Sequence, residues 1–120
     1  MALISLDAAK MYLRVDSADE EVLIDSLLQS AIQMSLDVAR LTREQWNAIN
    51  AVRYSDEGEL LPTETELYTE QELSELRPVL RVAILYALGY LYEHRAEADH
   101  HGLTLTLRSL LFAVREGVNF

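Results

Sequence analysis

The sequence predicts an all-α fold: a small helical bundle of about four to five helices, with an acidic loop or hairpin inserted at about 54–69 and an extended C-terminal tail. Three observations point there. Apolar residues recur at helical spacing along most of the chain. Serines and threonines stand where helix starts need caps. Between Tyr54 and Thr69 that spacing gives way to acids, threonines, Gly58 and Pro62, a polar excursion between helical stretches. The 120 residues make one domain, 1–120. A chain of this size buries roughly two-thirds of its unfolded surface, enough for one core.

The first helix opens at Ser5, with Asp7 in its first turn; both suit the free N–H groups there. Leu6, Ala9 and Leu13 share its face, and Val15-Asp16 ends it. Ser17-Ala18-Asp19-Glu20 has the form of a capping box for a second helix running to about Ala39. Leu23, Leu27, Ala31, Met34 and Val38 form one stripe, with Ile24, Leu28, Ile32 and Leu36 beside it. A stripe that wide buries against more than one neighbour. Thr42-Arg43-Glu44-Gln45 is another capping box, before a weak helix over 43–52 that carries Trp46, Ile49 and Val52.

Thr69 caps Glu70-Gln71-Glu72, and a short helix leads to Arg77. Pro78 suits the first turn of a further helix, where its missing N–H costs nothing. That helix is expected to reach about Ala98. From Val82 to Tyr92 there are eleven residues without a charge, well short of the roughly 20 of a membrane span. An all-round apolar helix is central in a fold or an assembly. Gly89 in its middle costs about 1 kcal/mol against alanine, which a close approach of another helix or subunit would explain. Leu103 to Leu107 alternates like a strand, while Leu107, Leu110, Leu111 and Val114 have helical spacing; a helix over about 105–115 is the preferred reading.

Charge narrows function. There are 20 acidic and 10 basic side chains, a formal net charge of −10. Residues 1–53 contribute −3, residues 54–76 contribute −8, and residues 77–120 contribute +1. The acidic surface is thus one insertion, 54–76, with Asp56, Glu57, Glu59, Glu64, Glu66, Glu70, Glu72 and Glu75 and no basic residue. Attraction to nucleic acid or anionic membrane is excluded. There are no cysteines, hence neither disulfides nor thiolate chemistry. With no cationic start before an apolar run, a secretory signal is not expected, and a soluble protein acting inside a cell is the default.

Catalysis finds little footing. Gly-x-Ser-x-Gly and glycine-rich phosphate loops are absent, and Ser109 has no activating neighbour in sequence. Glu93, His94, Glu97, Asp99, His100 and His101 form a polar cluster, and Glu97 to His100 has the Glu-x-x-His form of di-iron bundles. That site needs a second copy, which the chain lacks, so a polar helix end is the preferred reading. The expectation is no enzyme, no metal and no cofactor. Nine of the ten basic residues are arginine. Arg77, Arg81, Arg95, Arg108 and Arg115 lie in the same C-terminal part as Tyr86, Tyr90, Tyr92, Phe112 and Phe120, a composition common at protein interfaces.

Three blocks resemble the small all-α head–tail connector (adaptor) proteins of tailed bacteriophages and prophages. The first is Leu6-Asp7-Ala8-Ala9-Lys10-Met11-Tyr12-Leu13-Arg14-Val15-Asp16, followed by the acidic Ser17–Glu21 and the Leu/Ile helix. The second is Leu80-Arg81-Val82-Ala83-Ile84-Leu85-Tyr86, continuing to Leu91-Tyr92-Glu93-His94-Arg95; the family has an apolar helix ending in Tyr-Glu-x-Arg there. The third starts at Leu103 and includes Arg108-Ser109-Leu110-Leu111 and Arg115. Residues 41–76 are longer and more acidic than the family's usual link, and Leu103-Thr104 stands where the family often has Leu-Pro.

The resemblance implies a structural virion protein at the neck, assembled in the host cytoplasm. It implies a ring of about twelve copies between the portal protein and the head-completion (stopper) or tail protein. DNA would cross its channel unbound, since phosphate meets like charge. It implies a portal-docking tail over 115–120, with Leu111, Phe112, Arg115, Val118, Asn119 and Phe120. Arg81, Tyr86, Tyr90 and Arg95 would contribute to subunit contact. From a different class, the acidic segment also suits a helical regulator that mimics DNA and binds a basic nucleic-acid enzyme. A metal-dependent enzyme at 93–101 is the third possibility.

Overall fold

The computed structural model describes residues 2–96 and 101–115, with backbone alone at Ala113 and Arg115. Six helices form among the described residues: α1 (Leu6–Leu13), α2 (Glu21–Ala39), α3 (Arg43–Asn50), α4 (Glu70–Glu93), α5 (His101–Leu110) and α6 (Phe112–Arg115). The protein is all-α. α2 packs along α4, and α1, α3 and α5 close around that pair. The thinnest dimension is 19 Å. That is about two helix diameters, so the bundle is two layers deep.

Local chemistry explains most helix ends. Ser5 Oγ accepts from the Ala8 N–H at 3.1 Å and starts α1. Capping boxes are complete at Thr42/Gln45 and Thr69/Glu72, each with both reciprocal bonds. α1 and α2 end on Arg14 (φ 59°) and Arg40 (φ 57°), left-handed positions where glycine is usual. The expected box at Ser17 does not form. Ser17 Oγ takes the Asp19 N–H two residues on, at 3.0 Å, in a local turn, and α2 begins at Glu21 without a side-chain cap.

α4 differs from expectation twice. It is one helix, not two, with Pro78 inside it. Proline leaves the Ser74 carbonyl without its helical donor. Ser74 and Pro78 are both on the exposed side, where water can serve that carbonyl. The helix also stops at Glu93, short of Ala98, with His94 as its C-cap. α5 starts at His101, earlier than expected. Leu103, Leu107 and Leu111 are fully buried at i, i+4 and i+8 while Leu105 is 47% exposed, so the alternation of 103–107 is incidental to a helix.

The core is one cluster, with Ile24 and Leu28 from α2, Leu80, Ile84 and Leu88 from α4, and Leu103 and Leu107 from α5 among its members. Each such side chain contributes about 1.5–3 kcal/mol by burial. α2 is long and apolar enough, by length and composition, to cross a membrane. Here it is the partner of α4, burying Ile24, Leu28, Ala31 and Leu36.

The insertion at 54–69 contains a small hairpin. Tyr54 and Leu60 form a single antiparallel bridge, and the Ser55 N–H donates to Glu59 O at 2.8 Å. The Gly58 N–H closes the turn onto Ser55 O at 2.9 Å, and Gly58 takes φ 85°, open to glycine at little cost.

Candidate functional site

The residues singled out for subunit contact fall on the exposed side of α4 and at its end. Arg81 is exposed and Tyr86 is 41% exposed. Val82, one position after Arg81, is 58% exposed. The helix is therefore central yet leaves an apolar and arginine-bearing face uncovered. Tyr90 and Arg95 have partners within the chain. Tyr90 stacks on His94, with ring centroids 4.1 Å apart. His94 Nδ1 lies 2.9 Å from the Tyr90 carbonyl, which can only accept, so that nitrogen donates. Arg95 lies over the Tyr92 ring, 4.7 Å from its centroid, and its guanidinium donates to the Tyr92 carbonyl.

Tyr92 itself closes the bundle. Its hydroxyl donates to Glu20 Oε2 at 2.8 Å, joining the end of α4 to the residue before α2. The hydrogen bond to Glu20 is the main cause that raises the Tyr92 pKa, with burial and the Glu20 charge adding to it. The Tyr-Glu-x-Arg block is thus a structural clasp, with Tyr92 bonding outward and Arg95 bracing it. Lys10 and Glu21, 2.7 Å apart, tie α1 to α2 beside it. Gly89 has its explanation within the chain: a Cβ there would stand 3.2 Å from Tyr12 Cε2, so the glycine makes room for the α1 tyrosine.

Sequence reasoning misplaced Arg77. Its neighbours in sequence suggest an interface arginine, but it is a buried internal tie, 7% exposed. Its Nε donates to Ile49 O at 3.0 Å, and its Nη2 donates to Thr63 Oγ1 at 2.8 Å and reaches Ala51 O at 3.5 Å. These acceptors belong to the end of α3 and to the acidic insertion. Burial lowers the Arg77 pKa, opposed by the nearby Glu70. No local pattern announces such a role, because the acceptors are mostly backbone carbonyls distant in sequence.

The acids divide into two groups. Asp56, Glu57, Glu59, Glu64 and Glu66 are exposed on the hairpin and the strap after it. Glu70, Glu72 and Glu75 do structural work. Glu70 Oε1 accepts from the Thr63 N–H at 3.0 Å, Glu72 Oε1 from the Thr69 N–H at 2.9 Å, and Glu75 Oε1 from Gln71 Nε2 at 2.8 Å.

In the candidate docking region, Leu111 is fully buried and belongs to the core, so it is not a surface anchor. Phe112 is 56% exposed. Val118, Asn119 and Phe120, and the side chain of Arg115, lie outside the described residues, as do Glu97, Asp99 and His100 of the polar cluster. Among the described residues no group of three His, Asp or Glu side chains could hold a metal ion. No protein-family model, curated protein or solved structure matches the chain.

Proposed function

We propose that this chain is the repeating subunit of a head–tail connector ring, an adaptor between a portal and the head-completion or tail proteins of a tailed phage or prophage. The reading is supported by the three sequence blocks and by one feature of the fold. α4 is the central helix, packed by α1, α2, α3 and α5, yet Arg81, Val82 and Tyr86 remain on its outer face. An uncovered face with an arginine, a tyrosine and an aliphatic side chain suits contact with another copy. Phe112, exposed just before the tail, suits a portal contact. DNA would pass through the ring without adhering, repelled by the net negative subunits.

The test is native mass spectrometry and electron microscopy of the purified chain, alone and with the portal ring encoded in the same genome. A closed ring seated on the portal is the expected result. A strict monomer that ignores the portal overturns the proposal.

A second reading keeps one observation in its favour: five exposed acids, Asp56, Glu57, Glu59, Glu64 and Glu66, within one stretch of eleven residues. As a DNA mimic the chain would bind a basic enzyme in a salt-sensitive way, lost when these five are neutralised. Glu70 and Glu72 are unsuitable for that test, since removing them also removes bonds to Thr63 and Thr69. Under the connector reading, deleting 115–120 does more harm than neutralising the five.

A further inference from the structure

Two separate exposed patches have complementary chemistry. The first surrounds Val22 near the start of α2. Val22 is 83% exposed, the most exposed large apolar side chain among the described residues. Asp25, one turn on, shares its face, and Asp19 lies just before the helix; both carboxylates are exposed. The second patch is a cleft of about 230 Å³ between the hairpin and α4, with Tyr54 and Leu60 on one wall and Pro78 and Arg81 on the other. Tyr54 is 47% and Leu60 53% exposed. Arg77 and Arg81 both line this cleft, against one carboxylate, Glu70. Asp19, Asp25 and Arg81 pair with no opposite charge among the described residues.

The Tyr92–Glu20 bond holds the start of α2 beside the end of α4. Arg81 lies eleven residues before Tyr92 on the same helix. At 1.5 Å per residue that is about 16 Å along the axis. Like charge dominates each patch, Asp19 and Asp25 in one and Arg77 and Arg81 in the other, so pairing the unlike patches is favoured over pairing either with itself. Each can pair with the other, placing a branched apolar side chain among apolar walls and carboxylates beside a guanidinium.

We infer that copies of this chain associate head to tail, with Val22, Asp19 and Asp25 of one copy seated in the Tyr54–Leu60–Arg81 cleft of the next. The inference rests on the ring reading above and adds which surfaces meet. A heterologous contact of this kind propagates, and closes if its rotation allows.

The chain has no cysteine, so engineered pairs report cleanly. Val22→Cys and Leu60→Cys are both surface changes. The double variant, oxidised in air at high protein concentration, is expected to give a ladder of trimers and longer species joined between positions 22 and 60. Arg81→Glu and Asp25→Arg should each weaken association about tenfold or more, and together recover most of it. Closed dimers and nothing longer overturn the head-to-tail contact. Rings of the unmodified chain, together with no 22–60 cross-link in the double variant, overturn this contact and leave the ring reading standing. Absence of any assembly, with or without portal, overturns both.

Discussion

Replacing Arg77 by methionine removes the tie between α4, the end of α3 and the acidic insertion while keeping a long apolar stem. The guanidinium gives up two short hydrogen bonds, to Ile49 O and Thr63 Oγ1, and a longer one to Ala51 O. A hydrogen bond from a charged donor is worth about 1.5–3 kcal/mol net. Desolvating the guanidinium offsets part of that gain in the native protein. The Ile49 carbonyl is left buried, at a cost of about 1–3 kcal/mol. The net expectation is a loss of about 2–4 kcal/mol. Arg77→Lys, which keeps the charge and can serve some of these acceptors, should lose about half as much. Urea unfolding with and without the change gives the magnitude. Hydrogen exchange gives the location: amides of 51–66 should lose protection before those of α2 and the second half of α4. A midpoint within error of the parent, or a uniform loss across the chain, would refute the assignment of Arg77 as a local tie.

Other side chains give sharp expectations. Tyr92→Phe should lower stability by removing the bond to Glu20. Because the folded Tyr92 pKa is raised above its ordinary 10.0, the bond's stabilisation is present below that value and lost as pH rises through the folded pKa. The parent should therefore lose more stability above pH 10 than the phenylalanine variant, as read by thermal melts across that range. Ser35 is fully buried in α2 and its hydroxyl has no hydrogen-bond partner among the described residues; Ser35→Ala should raise stability by about 1 kcal/mol in urea unfolding. Arg40→Gly relieves a left-handed arginine at the α2 C-cap and should raise it by about 0.5–1 kcal/mol, where a loss would indicate that the arginine side chain contributes more than its backbone costs.

Features set by near neighbours were legible in the sequence. The caps at Ser5, Thr42 and Thr69 follow from an oxygen two or three residues before an unsatisfied N–H, and all three form. Ser17 has the same signature, but its hydroxyl finds the nearer Asp19 N–H first, and Glu20 instead accepts from Tyr92 across the bundle. Pro78 misled because a proline rule read locally cannot know that its side of α4 is exposed. Leu103–Leu107 carries both periods, and burial chose among them. The acidic segment was visible as composition, yet not that Glu70, Glu72 and Glu75 of α4 accept hydrogen bonds within the chain. Least visible were the contacts between distant residues: Tyr12 over Gly89, and Arg77 on Ile49. The candidate contact face of α4 was legible in part, since Arg81 and Tyr86 are on the surface. Tyr90 and Arg95 are tied to their own helix end, and Leu111 fills the core.

Native mass spectrometry of the unmodified chain, mixed with the portal ring of the same genome, tests the connector reading most directly. That reading predicts a closed ring of many copies bound to the portal, lost on deleting 115–120. A chain that stays monomeric, leaves the portal's mass unchanged and instead forms a salt-sensitive complex with a basic nucleic-acid enzyme would contradict it.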